Sequence, residues 1–180
     1  MSEYFKMKIA GLERDLQKYP VSEHLDIAAF ILFGDVEMTV EAAKALIPKL
    51  PEHDIMIVAE AKGIPLIHEL ARQMGENDYV VARKAKKVYM TDPLEVSVRS
   101  ITTQKQQYLC LGQEDVVKMK GKRVLIVDDV ISTGESLAAV VELVKRAGGT
   151  VVGQAAILAE GDAAKRDDII YLEKLPLFFK

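Results

Sequence analysis

The chain predicts an α/β fold, with a central, mainly parallel sheet flanked by helices, on three observations. Short continuous apolar runs at residues 55–59, 79–82, 124–127 and 151–158 read as strands, and those at 55–59 and 124–127 as strands buried on both faces. Segments at residues 65–74 and 137–147 carry apolar residues at helical spacing. Strand, helix and strand follow one another twice, the order of parallel strands joined by right-handed crossovers.

Composition narrows the class. At 180 residues with 49% hydrophobic and 28% charged side chains, the chain suits one globular domain, residues 1–180, large enough for a core. A net charge of −3 and a pI near 5.7 argue against nucleic acid or a membrane surface as partner. The single cysteine, Cys110, excludes an internal disulfide and reads as a packed apolar residue. His24, His53, His68 and Cys110 form no visible metal-ligand cluster, so no metal site made of protein side chains is expected. The first residues lack an apolar signal core, no run is long enough to span a bilayer, and a cytoplasmic protein is expected.

Taken in order, residues 3–18 place Phe5, Ile9, Leu12 and Leu16 near helical spacing, which predicts an amphipathic helix ending before Pro20. Residues 39–50 predict a second helix, capped by Thr39 and closed near Pro48. The helix over 65–74 opens at Pro65, with His68 near the edge of its apolar face as a partly buried, hydrogen-bonded residue. Residues 95–101 alternate like a one-sided strand, with 107–111 as an antiparallel partner. The polar tip at 102–106 is either a lid or an ordinary hairpin tip. Residues 169–172 and 177–179 read as short apolar pieces covering the sheet.

The stretch that carries chemistry is K-R-V-L-I-V-D-D-V-I-S-T-G-E-S, residues 122–136. An apolar strand is followed by Asp128 and Asp129, then by Ser132, Thr133, Gly134, Glu135 and Ser136 leading into a helix. Free N–H groups and the positive end of a helix dipole make such a junction an anion site, although most such loops only cap a helix. Two acids immediately before it favour a ligand that also carries hydroxyls or metal-bound water. Neither the Gly-x4-Gly-Lys loop nor the Gly-x-Gly-x-x-Gly fingerprint is present.

This stretch resembles the phosphoribosyl pyrophosphate signature of the type I phosphoribosyltransferases. Residues 60–63, E-A-K-G, are similar to the E-A-R-G loop of the adenine phosphoribosyltransferase family, and residues 83–87, R-K-A-K-K, to its R-K-x-G-K stretch. Residues 31–36, I-L-F-G-D-V, resemble its hood segment. The resemblance implies a small N-terminal hood over about residues 1–50, a core over about 51–180, and an antiparallel flexible-loop hairpin. It implies transfer of the phosphoribosyl group to a purine, adenine first, giving the nucleoside monophosphate and pyrophosphate in purine salvage. A xanthine- or hypoxanthine-type enzyme and a non-catalytic sensor of phosphoribosyl pyrophosphate are the alternatives.

Site residues follow from the same resemblance. Asp128 and Asp129 are implied for catalysis through the ribose hydroxyls, and Ser132, Thr133, Gly134, Glu135 and Ser136 for the 5′-phosphate. Glu60, Ala61, Lys62, Gly63, Arg83, Lys84 and Lys87 are implied for pyrophosphate. Several of these are cations following apolar strands directly, although a solvated basic patch would look the same. Phe33 is a candidate purine contact, or else a core phenylalanine. Glu160 stands where the xanthine enzymes place a lysine, and a carboxylate favours an exocyclic amine. Mg2+ is implied through the substrate, and a homodimer as the assembly.

The departures are specific. Gly34 replaces the hood arginine, Lys62 keeps charge but loses the arginine fork, and Lys86 stands where glycine is usual. The loop glutamate of the adenine enzymes has no counterpart in S-I-T-T-Q-K-Q, residues 100–106, which with M-T-D at 90–92 is closer to the xanthine enzymes.

Overall fold

The structure is a computed structural model that describes residues 3–98 and 107–180. A five-stranded parallel sheet forms its centre, in the order β10-β9-β8-β4-β5. These strands are β4 (Ile55–Ala59), β5 (Val80–Ala82), β8 (Arg123–Ile131), β9 (Thr150–Glu160) and β10 (Ile170–Leu175). Side-chain alternation divides each inner strand between two cores. Met56 and Val58 of β4 join one, with Leu125 and Val127 of β8. Ile55 and Ile57 face the other, with Val124 and Ile126. Helices α1 (Val36–Leu46) and α2 (Ile64–Met74) cover the first face; after the short α3 (Gln113–Met119), α4 (Glu135–Arg146) covers the second. A continuous apolar run is therefore required in these strands, because neither face meets water.

The strand at 124–127 is longer than its apolar run. It continues through both acids to Ile131, with Asp128 opposite Ala156 and Val130 opposite Leu158. Parallel hydrogen bonding to β9 carries it past the point where hydrophobicity stops.

Residues 3–18 are not a helix. They form β1 (Tyr4–Ile9) and most of β2 (Leu12–Ser22), an antiparallel hairpin pairing Ile9 with Leu12 across Ala10 and Gly11. Both turn residues have positive φ, +48° and +84°, as a two-residue hairpin turn needs. Phe5, Ile9, Leu12 and Leu16 mimic helical spacing only because the count runs across that turn. Met7, buried between Phe5 and Ile9, betrays the period of two. The hood is completed by β3 (Leu25–Ala28) and by β11 (Leu177–Phe179), in the order β1-β2-β3-β11. Residues 177–179 thus pair with β3 rather than covering the central sheet, while 170–175 become its edge strand. Phe178 meets Phe5 edge-on at 5.1 Å, and Lys180 Nζ lies 2.7 Å from Asp26 Oδ1.

The first helix begins before Thr39. Asp35 is its cap, accepting a hydrogen bond from the Met38 N–H at 3.1 Å, while the Thr39 hydroxyl donates to the Asp35 carbonyl. The Arg14 guanidinium of β2 also donates to both Asp35 oxygens, at 2.7 and 3.0 Å, tying hood to helix. His68 of α2 is exposed, with Nδ1 3.4 Å from the Tyr79 hydroxyl, rather than partly buried.

Arg14, and next the burial that opposes it, set the Asp35 carboxyl below its ordinary value. Its contribution to stability is therefore present above the unfolded pKa and lost as pH falls through the folded one. Asp35→Ala, which loses cap and ion pair, should cost about 1–2 kcal/mol in urea unfolding. Asp35→Asn keeps the cap, so its smaller deficit should shrink as pH falls below the ordinary carboxylate range and vanish once pH lies below the lowered folded pKa.

Candidate active site

Three walls meet at the carboxyl ends of the parallel strands and enclose a cleft of about 250 Å³. The first wall is the turn from β4 into α2, where Glu60, Ala61 and Lys62 line the cleft and the Glu60–Ala61 peptide bond is cis. Gly63 is dictated by contact: a Cβ there would lie 2.7 Å from Val58 Cγ2 and 3.2 Å from Asp128 Cα. The turn can press against β8 only without a side chain.

The second wall is the end of β8 and the loop into α4. Asp129 is 2% exposed, and its Oδ2 has no hydrogen-bond partner among the described residues. Lys62 Nζ lies 3.6 Å from that oxygen, an ionic contact rather than a hydrogen bond. Asp128 Oδ1 accepts the Asp129 N–H at 2.9 Å. Burial, then the adjacent Asp129 carboxylate, push the Asp128 carboxyl well above its ordinary value. Ser132, Thr133 and Gly134 make the turn, with Gly134 at φ +82° as the helix cap, and Ser136 lines the cleft from the first turn of α4. The first-turn N–H groups of α4, which a helix leaves without carbonyl partners, belong to a turn that lines the same cleft as the two acids.

The third wall comes from elsewhere in the chain. β6 (Leu94–Val98) and β7 (Gln107–Leu111) pair antiparallel as expected, whereas the end of the expected first strand, residues 99–101, and the tip at 102–106 lie outside the described residues. Arg83 N–H donates to Cys110 O at 2.9 Å and Cys110 N–H to Arg83 O at 2.8 Å, fastening the hairpin to the end of β5. This brings Val98, Tyr108 and Leu109 to the cleft that the acids also line. Sequence reasoning missed Tyr108. Its signal was an aromatic residue just after the polar tip, but the side it faces depends on that bridge.

Residues 39–175 match the Phosphoribosyl transferase domain. The chain belongs to the phosphoribosyltransferase family. The adenine phosphoribosyltransferase of Thermotoga maritima is 31% identical over 160 residues, covering 84% of this chain and 85% of the relative. A hypoxanthine/guanine phosphoribosyltransferase of a Methanocaldococcus species is 30% identical over 147 residues, covering 82% and 69%. Among solved structures, the adenine phosphoribosyltransferase of Thermoanaerobacter pseudethanolicus superposes with a TM-score of 0.74 at 22% identity, over 89% of this chain and 95% of that one. The yeast adenine phosphoribosyltransferase does so with a TM-score of 0.67 at 22% identity, over 88% and 92%.

Within this phosphoribosyltransferase the remaining predicted residues divide. Lys84 lines the cleft, but Arg83 does not. Arg83 Nε donates to Glu60 Oε2 at 3.2 Å and its Nη1 to the Tyr89 hydroxyl at 2.7 Å. Glu60 Oε2 also accepts the Lys84 N–H at 2.9 Å. That bond first, and Arg83 after it, hold the Glu60 carboxyl below its ordinary value. Lys87 stands outside the cleft, near enough to act on Glu60 electrostatically. Phe33 is 53% exposed on the segment before α1, outside the cleft and outside the core, where Phe30 is the buried phenylalanine. Glu160, at the end of β9, is half-buried, and burial pushes its carboxyl up against the opposing influence of Lys62. No group of three or more His, Cys, Asp or Glu side chains among the described residues could hold a metal.

The raised Asp128 pKa has a sign. Between the unfolded value and the higher folded one, the native state holds the extra proton, so stability falls as pH rises through that window. Asp128→Asn removes the cost of ionising this carboxyl. Its melting temperature should exceed that of the wild type at about pH 7, with the advantage shrinking towards about pH 4, as measured by thermal denaturation.

Proposed function

We propose that this phosphoribosyltransferase moves the 5-phosphoribosyl group from phosphoribosyl pyrophosphate to a purine ring nitrogen, with adenine as the preferred base. The observation that carries the reading is the acid pair, Asp129 buried and Asp128 half-buried, placed directly before a glycine turn and a helix start. One short segment thereby offers acceptors for sugar hydroxyls and N–H donors for a phosphate. The adenine preference is supported by the Thermotoga maritima relative and by the yeast enzyme, whose structure holds adenine.

In this mechanism Asp128 and Asp129 accept hydrogen bonds from the ribose hydroxyls and orient the anomeric carbon. The N–H groups of the Ser132, Thr133, Gly134, Glu135 and Ser136 loop, with the Thr133 and Ser136 hydroxyls, hold the 5′-phosphate. Lys62 and Lys84 face the leaving pyrophosphate as the bond from the anomeric carbon to its oxygen breaks. Positive charge grows on the sugar and negative charge on the leaving group, so lysines on one wall and acids on the other match the transition state. The purine nitrogen forms the new bond, and positioning supplies most of the rate. Arg83, with Glu60, shapes the turn that presents Lys84, and Lys87 adds positive potential outside. Phe33 offers a free aromatic face to the purine, and Glu160 accepts from its exocyclic amine.

The donor set suits magnesium carried in with the substrate. Asp129 Oδ2 is buried and unpaired, and the carboxylates are too few to hold the ion unaided. When bound, the ion supplies electrophilic assistance to the departing pyrophosphate. A homodimer, in the cytoplasm, completes the proposal. No helix among the described residues is long and apolar enough to cross a membrane.

Pyrophosphate release with adenine, hypoxanthine, guanine and xanthine tests the reading. Adenine should turn over fastest, and Asp128→Asn should reduce turnover by at least about a hundredfold. A strong preference for hypoxanthine or guanine, as the name of the Methanocaldococcus relative suggests for that protein, would keep the mechanism and remove the base assignment. Glu160→Gln should erode discrimination between adenine and hypoxanthine by roughly tenfold, read as a ratio of kcat/KM values.

A further inference from the structure

Beyond the strand ends, one cation is directed at the loop that would take the phosphate. Arg166 follows the 3₁₀ turn Gly161–Lys165, which leads from β9 towards β10, and its N–H donates to Ala163 O at 3.1 Å. A Cβ on Gly134 would lie 2.8 Å from Arg166 Nη1, so the guanidinium rests on the glycine that turns the chain into α4. Its other two nitrogens are paired. Nε donates to Asp168 Oδ1 at 2.8 Å and Nη2 to Asp168 Oδ2 at 2.7 Å, a fork-to-fork pair. Asp168 is held in turn by Gln154 of β9, whose Nε2 donates to Asp168 Oδ2 at 3.1 Å. Nη1 has no hydrogen-bond partner among the described residues. A fixed relay, Gln154 to Asp168 to Arg166, thus leaves one end of a guanidinium free against the phosphate loop.

Charge gives this arrangement a purpose. The loop carries no cation of its own, begins beside Asp128 and Asp129, and contains Glu135. A sugar phosphate dianion entering there meets three carboxylates, and N–H groups alone supply only partial positive charge. Lys62 is drawn to Asp129, and Lys84 lines the cleft next to Glu60, whose carboxylate accepts its N–H.

We propose that Arg166 is a phosphate-binding residue of this site, with Nη1 donating to the sugar 5′-phosphate and Gln154 and Asp168 acting as its positioning residues. The proposal rests on the phosphoribosyl reading of the loop. It also gives Gly134 a second function, because any side chain there would displace the guanidinium as well as strain the turn.

Calorimetric titration with ribose 5-phosphate, and separately with pyrophosphate, tests it on the wild type, Arg166→Met, Arg166→Lys and Asp168→Asn. The Arg166 side chain is 38% exposed, so these variants should fold, which melting curves verify. Arg166→Met, which keeps bulk but not charge, should weaken ribose 5-phosphate by roughly tenfold to a hundredfold and leave pyrophosphate unchanged. Arg166→Lys should fall between the two, and Asp168→Asn should lose several-fold affinity through poorer orientation. Wild-type affinity for ribose 5-phosphate in Arg166→Met would overturn the assignment and leave the site reading intact. Equal loss of both ligands would overturn it too, since a mere prop for the loop would act that way. A wild type that binds neither ligand would remove the site reading and this inference together.

Discussion

The cleft depends on two carboxylates held where a hydrophobic sheet would not keep them. Asp128 and Asp129 lie within β8, paired to β9 on one side, with Gly63 against the Asp128 backbone on the other. Burying adjacent acids is unfavourable: the raised pKa of Asp128 and the orphaned oxygen of Asp129 are two expressions of that cost. The fold offsets it with two large apolar cores, one on each face of the sheet. A site of this kind trades stability for a place where hydroxyls or a hydrated cation bind well, because the ligand replaces solvation the protein withholds.

Around the acids the charges are sorted by geometry rather than by number. Arg83 and Glu60 satisfy each other, so the guanidinium shapes the turn while its neighbour Lys84 faces the cleft. Arg166 and Asp168 are paired in a comparable way, except that one guanidinium nitrogen stays free beside Gly134. An ion pair can therefore mean opposite things at one site. It holds the Arg83 guanidinium outside the cleft, against Glu60 and Tyr89, and rests the Arg166 guanidinium on Gly134.

The hood and the hairpin share the apolar cores of the central sheet, Met7, Ile9 and Leu16 on one face and Val96, Leu109 and Leu111 on the other, and a few polar or main-chain contacts align them. Arg14 bridges β2 to the cap of α1, and the Arg83–Cys110 bridge secures the hairpin. The last residues of the chain return to pair with β3, so the hood contains both ends of the described sequence. No local pattern could announce that pairing, since three residues of strand look alike whichever sheet receives them.

The sequence by itself determined the parallel sheet, the helices on its faces and the acid–glycine junction, because burial on both faces demands continuous apolar runs and a helix start demands a turn. It also determined the family, through residues whose order along the chain is their chemistry. Tertiary structure decided the rest. The spacing of Phe5, Ile9, Leu12 and Leu16 satisfied a helix until the Ala10–Gly11 turn folded it back on itself, because an apolar period cannot report a reversal inside its own window. Tyr108, Lys84 and Arg166 reach the cleft or its glycine loop from positions far apart in sequence, and Arg83 is turned away by a carboxylate 23 residues distant. Which way a charged side chain points is settled by the partner it finds, and that partner exists only once the chain has folded.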